Sequence, residues 1–309
     1  MNKNLPVTQN TRTIWLLLAG LAMLDAVWIL VLHMAVTLQA LELIFLPIFG
    51  LLGLAWFYSQ IRKDSRLANL AHMTAATLGF MSATCILSYL VITIHMPLTD
   101  YYLAAADRAL GLDWPGMYAW VTARPWLNMG MRIVYMCLIP QIVLLQFTLV
   151  FRGQITRGWE LLWLFVFTCI GCVFFSGVWP AEGAFSYYHV GLDEPYLREF
   201  AALYDGSFTT IGAKGGMQGL VTFPSLHMAL AIIFPYAARG VPVLFPLLLI
   251  LDILIAATTP AIGGHHFADL WGGAVLALAS IWLVRREFMT KLIAGTAIAK
   301  DKKIRGRNR

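Results

Sequence analysis

Eight apolar stretches dominate this chain, at residues 14–36, 41–58, 71–94, 131–151, 161–179, 223–238, 241–258 and 266–284. Each meets or approaches the roughly 20 residues that an α-helix needs to cross the hydrocarbon core of a bilayer. Lipid offers no hydrogen-bond partners, so stretches of this length leave transmembrane helices as the structural solution. Composition agrees: 60% of the 309 residues are hydrophobic and 12% charged. The mean hydropathy is +0.73, more apolar surface than one soluble core can hide. The expected fold class is therefore all-α, a polytopic transmembrane helical bundle of about eight helices. The sixth and seventh stretches are separated only by Arg239 and Gly240, which leaves counts of six or seven open. The first stretch is too long for a secretory signal and no small-residue cleavage pattern follows it, so it is read as a retained helix.

A net charge of +6 could suggest nucleic acid, but the basic residues follow membrane topology instead. Lys3 and Arg12, then Arg62, Lys63 and Arg66, then Arg152 and Arg157, then Arg239, then the tail from Arg285 to Arg309 fall at alternate helix ends. The positive-inside rule makes these ends cytoplasmic, with both termini on that side. The opposite ends carry Glu42, Asp100, Asp107, Asp113, Glu182, Asp193, Glu194, Glu199 and Asp205 with few bases. No nucleic-acid partner is expected; membrane lipids are, and the basic tail reads as a solvated topology anchor touching anionic headgroups. Cys85, Cys137, Cys169 and Cys172 all fall inside expected helices and are read as packing residues.

Two polar segments, 96–130 and 180–222, interrupt the helices on the non-cytoplasmic side. The first contains an expected surface helix at 101–110, followed by Gly and Pro punctuation. Its Trp114, Tyr118, Trp120 and Trp126 suit an interfacial aromatic belt. The second ends in a Gly-rich stretch, 212–219, whose sole base is Lys214. Such backbone either approaches a ligand closely or forms a mobile loop.

The chemistry lies in two clusters. Pro224-Ser225-Leu226-His227 opens the sixth helix, where free N–H groups and the helix dipole favour anions. Gly263-Gly264-His265-His266-Phe267-Ala268-Asp269 opens the last helix. Two bilayer crossings separate the clusters, so His227 and His265 lie on the same side. His265 and Asp269 are four apart and share a helix face, so the carboxylate can orient the imidazole and leave its other nitrogen as a nucleophile. His266 points about 100° away and is read, with His33, His72, His95 and His189, as a packing residue. Asp252 and Asp25, near helix middles, are expected to form interhelical hydrogen bonds.

The sequences FPSLHMA around His227 and GGHHFAD around His265 resemble the second and third signature motifs of the type 2 phosphatidic acid phosphatase (PAP2) superfamily. The resemblance is strongest to its inositol phosphorylceramide synthase-like branch. The segment Ala106-Asp107-Arg108-Ala109-Leu110-Gly111-Leu112-Asp113-Trp114-Pro115 looks like bacterial members of that branch. The likeness spans roughly 70–285. It implies a six-helix catalytic domain at 69–285, a two-helix membrane extension at 1–68 and a basic cytoplasmic tail at 286–309. It further implies a bacterial inner-membrane enzyme with its site on the periplasmic face, acting on a lipid phosphate or phospholipid without metal or cofactor. In such an enzyme His265 would form a phosphohistidine, Asp269 would support it, and His227 would protonate the leaving oxygen. Water would be the acceptor in a phosphatase, an alcohol in a head-group transferase.

Two departures bear on phosphate binding. The phosphatase pattern places Ser-Arg where this chain has Thr258 and Thr259. The Lys of its first motif, seven residues before Arg-Pro, is replaced by Met117 ahead of Arg124-Pro125. The remaining candidates for substrate binding are Lys214, Arg124, Arg132, Arg198, the Ser225 hydroxyl, and the N–H groups of Gly263 and Gly264. Lys214 is the first choice, being on the Gly-rich stretch thirteen residues before His227. Readings from other classes are a transporter with a proton or metal path through His227, His265 and Asp269, and a metal hydrolase adding His266 as ligand. The first predicts further polar residues toward the cytoplasmic side, and few exist besides Asp25 and Asp252. The angle between His265 and His266 opposes the second. Oligomeric state leaves no trace in the sequence.

Overall fold

A computed structural model describes the backbone of residues 5–213 and 217–305, with side chains from 11 to 286 outside the 214–216 gap. Its elements in chain order are α1 (Leu5–Val31), β1 (Ala35–Val36), α2 (Leu38–Gln60), α3 (Ser65–Ile92), α4 (Asp100–Ala109), α5 (Trp114–Thr122), α6 (Pro125–Met136) and α7 (Leu138–Phe151). There follow α8 (Ile155–Val178), α9 (Ala184–Tyr187), α10 (Pro195–Tyr204), β2 (Thr210–Ile211), α11 (Leu226–Ala238), α12 (Leu244–Gly263) and α13 (Phe267–Arg305). Seven helices among the described residues are long and apolar enough to cross a membrane, and α11 is a shorter apolar eighth. The chain is an integral membrane protein with an all-α bundle fold.

The spans start and stop within about six residues of the apolar stretches. The fourth runs from Pro125 to Phe151 rather than from 131, as α6 and α7 in series. They meet at Cys137, whose N–H bonds to Val134 in a tightened turn. Pro140 removes the N–H that would have continued the ladder, which is a sufficient cause for the break. The polar segment 96–130 is therefore mostly helix: α4 is the surface helix expected at 101–110, and α5 and the start of α6 stand where loop was expected.

Packing rests on α3, α8 and α11, whose buried residues dominate the main core with those of α7. Ile14, Leu18 and Leu21 of α1 pack into the same core. Lipid supplies no hydrophobic drive for helices to associate, so close packing and interhelical polar pairs carry more of the specificity. Gln146 bridges α3 and α7 by donating to Thr77 and accepting from Thr74. Thr168 donates to Ser280 across α8 and α13. Gln141 donates to Asp252 at 2.9 Å, the interhelical bond expected of that carboxylate. Asp25 differs: it is buried, and neither of its oxygens has a partner among the described residues.

At one end of the bundle, the turn between α11 and α12 is fastened to α8. Arg239 forks onto both oxygens of Glu160, and Arg157 donates to the Ala237 carbonyl. The other end carries α4, α5, α9, α10 and the two-residue parallel pairing of β1 with β2. That pairing ties the α1–α2 hairpin to the segment leading into α11, with Thr37 donating to the Gly212 carbonyl.

Candidate active site

The two histidine clusters meet where α11 and α13 begin. Ser225 caps α11: its oxygen accepts from Met228 N, and its own N–H donates to the Asp269 carbonyl. Close approach is permitted by Gly272 and Gly273. A Cβ on Gly273 would stand 2.3 Å from the Ser225 carbonyl oxygen, and one on Gly272 would strike Phe223. The His227 and His265 rings lie 6.4 Å apart, centre to centre.

His265 is buried and its Nδ1 faces Asp269 Oδ2 at 3.1 Å. The same oxygen accepts the His266 N–H at 2.9 Å. A fully buried carboxylate at Nδ1 selects the tautomer that donates from Nδ1 and leaves Nε2 bare. Gly264 ends α12 in the left-handed conformation, φ 65°, that a helix terminus of this kind requires. Any Cβ there would also collide with Phe185 at 2.5 Å.

The loop 263–269 is held from outside by residues far away in sequence. Trp114 Nε1 donates to the His265 carbonyl at 2.9 Å, and Ala184 N donates to the Gly264 carbonyl. Asp107 caps α13, accepting from Phe267 N and Ala268 N at 2.9 and 2.8 Å. Asp100 accepts from Glu182 N and Gly183 N. His266, wholly buried, lies between these carboxylates, 3.3 Å from Asp100 and 3.8 Å from Asp107. It is thus more than a packing residue, and it faces away from His227 toward α4 and the Tyr187 ring. Trp114 is likewise not part of an interfacial belt: it is fully buried between Tyr118 and Tyr188. Trp120 and Trp126 remain exposed and suit one.

The expected substrate-binding residues fare unequally. Gly263 and Gly264 adjoin His265. Ser225 is at the site, but it is completely buried and its oxygen is used by the helix cap. Arg124 is not brought to the site. Its guanidinium donates to the Trp120 carbonyl and stacks on that indole. It also stands eleven residues from Tyr135, the α6 residue that touches His227, or about 16 Å along a helix. Lys214 lies outside the described residues. Arg132 and Arg198 are exposed and face Glu194 and Asp193 at 3.9 and 3.8 Å. Thr258 and Thr259, at the clamp positions, donate their hydroxyls to the Ile255 carbonyl.

Two tyrosines escaped the sequence reading. Tyr135 stacks on His227, centroids 4.0 Å apart and planes within 11°. The Tyr196 hydroxyl is buried without a partner among the described residues. Burial, with Glu194, Tyr135, Asp100 and Asp269 nearby, pushes its phenol above the ordinary range, so it is a neutral donor. A half-buried tyrosine beside an acidic segment carries no sequence signal of its own. Asp100 and Asp107 did carry one: with Leu103 and Ala104 they form the buried i, i+3, i+4, i+7 face of α4.

A family model described as the PAP2 superfamily matches residues 101–283, more than half of the chain. No curated protein and no solved structure matches it.

Proposed function

The chain belongs to the PAP2 superfamily, and from that premise we propose that it is a membrane phosphatase or phosphotransferase acting on a lipid phosphate or phospholipid head group. The observation that carries this reading is the pairing of His265 Nδ1 with the buried Asp269, with a second imidazole beside it.

His265 Nε2 attacks phosphorus, a P–N bond forms and the P–O bond to the leaving group breaks. His227 gives its Nε2 proton to the departing oxygen. Asp269 keeps His265 in the productive tautomer and stabilises the positive charge that grows on its ring. The hydroxyl of water or of an alcohol then attacks the phosphohistidine, the P–N bond breaks, and the acceptor's proton passes to His227. Each residue returns to its starting state, and no metal or cofactor enters the cycle. By the charge pattern at helix ends, the reaction occurs on the non-cytoplasmic face.

One observation favours head-group transfer over hydrolysis of a phosphomonoester. Among the described residues no Lys or Arg pairs with either histidine, and three carboxylates, Asp100, Asp107 and Asp269, surround the loop. A monoester brings about two negative charges and a diester one, so a loop whose described neighbours are carboxylates suits the diester better. The purified protein should be given phosphatidic acid, prenyl diphosphate and phosphatidylinositol, each with and without an acceptor lipid. Transfer from phosphatidylinositol only when acceptor is present is the expected result; release of inorganic phosphate alone would sink it. Loss of all turnover in His265→Ala checks the nucleophile.

A further inference from the structure

The two histidines differ in what supports them. His265 has a carboxylate on its Nδ1, whereas among the described residues no carboxylate pairs with His227. Tyr135 stands in that place. Its hydroxyl oxygen is 3.2 Å from His227 Nδ1, but the rings are nearly parallel and 4.0 Å apart. At that separation the oxygen reaches Nδ1 from the face of the imidazole. The lone pair or N–H of Nδ1 lies in the ring plane, so the contact is π-stacking with the phenol oxygen over the ring, not an in-plane hydrogen bond. The tyrosine is also fitted to the loop of the nucleophile: a Cβ on Gly263 would lie 2.7 Å from its hydroxyl. One aromatic ring therefore touches both halves of the site.

We infer that Tyr135 is the positioning residue of the general acid, an electron-rich platform that fixes the plane of the His227 ring against the Gly263 loop and favours its protonated form. The inference rests on His227 being the acid. An imidazolium is stabilised over the face of a phenol ring. A neutral platform also suits an acid that must release its proton in each cycle, whereas a carboxylate would retain it more strongly.

The test compares leaving groups. A long-chain alkyl phosphodiester needs its departing oxygen protonated, and its p-nitrophenyl counterpart does not. Measured on the first turnover, before the phosphohistidine is resolved, Tyr135→Leu should slow release of the alkyl leaving group about 3- to 30-fold, the range of a lost cation–π contact, and barely change the burst of p-nitrophenol. Tyr135→Phe keeps the platform and should leave both near the parent rate. Pentafluorophenylalanine at 135 keeps the shape and reverses the charge on the ring face, so it should behave like leucine without opening a cavity. Equal slowing of both esters by leucine and pentafluorophenylalanine would overturn the inference, as would a Phe variant as impaired as Leu. His227→Ala separates this from the underlying reading: if it shows no preference between the esters, His227 is not the acid. If it shows the preference and the Tyr135 variants do not, only the platform fails.

Discussion

At the residue scale the site divides into groups that handle protons and groups that hold them still. Asp269→Asn removes the charge that pairs with Nδ1 of His265 but keeps a side chain of the same shape. It should lower kcat roughly 10²- to 10⁴-fold, the range for a positioned proton-handling group, with KM little changed, because Asp269 is fully buried behind His265. A comparable loss in KM would assign Asp269 to binding. His266 gives a different expectation. Its removal leaves Asp100 and Asp107 with their backbone donors but exposes a wholly buried polar pocket, at a cost of about 1–3 kcal/mol. Thermal unfolding of His266→Ala in detergent should show that loss, and an unchanged midpoint would show that the His266 cluster contributes nothing. Much of this geometry was legible in the chain. His265 and Asp269 are a helical turn apart, and the parity of two crossings places His227 on their side. The Trp114–His265 bond was illegible because 151 residues separate its ends, and no local period reports a contact of that span. Motif proximity did not reveal that Arg124 packs on Trp120, because it says nothing about how far along a helix a residue stands.

At the scale of elements, the decisive contact is between the first turn of α11 and the second of α13. It depends on Gly273, because the obstacle to any side chain there is backbone, the Ser225 carbonyl at 2.3 Å. Gly273→Val should push the helix ends apart and separate the imidazoles. Displacement of reacting groups by about 1 Å can cost roughly 10² in rate, so kcat should fall by that order while the protein still inserts and purifies. Gly171→Ala is the matched control: its Cβ would meet only the flexible end of Leu276 and should be tolerated. If both variants were equally active, close approach of the helices would not matter to catalysis. The existence and approximate starts of these helices could be read from hydropathy alone, but not the length of α13, which continues as helix to Arg305 beyond the apolar stretch that ends at 284. Of the outer helices α4 was expected, but α5 and the start of α6 were not, since they lie in a segment whose Trp, Gly and Pro content reads as loop. Their order comes from packing Trp114 and Tyr118 against α9, which hydropathy does not record.

For the whole molecule, the open question is what the first two helices do, since the family match begins only at 101. Among the described residues no hydrogen bond, ion pair or ring contact joins them to the proposed catalytic residues. Yet α1 places Ile14, Leu18 and Leu21 in the main core beside α3, and Leu18 sits where a side chain on Gly79 would be, 2.5 Å away. The hairpin they form reaches the site end through β1, where Ala35 N bonds to Thr209 O and Thr37 N to Ile211 O. Those bonds fix the upstream end of the segment that runs through Leu220, itself held by Ser88, into Pro224 and the Ser225 cap. Freed of β1, residues 209–211 would lose their backbone partners, and a looser segment would hold the α11 start in a wider range of positions. Deletion of residues 1–62 should therefore lower kcat/KM strongly although every proposed catalytic residue remains. Co-expression of 1–62 as a separate chain should restore activity, because lipid already confines both pieces to two dimensions and association needs only packing and the short β-pairing. Full activity in the truncated protein would show that the α1–α2 hairpin is dispensable to the site, and failure of the separate chain to restore activity would place its role in insertion rather than in holding the loop.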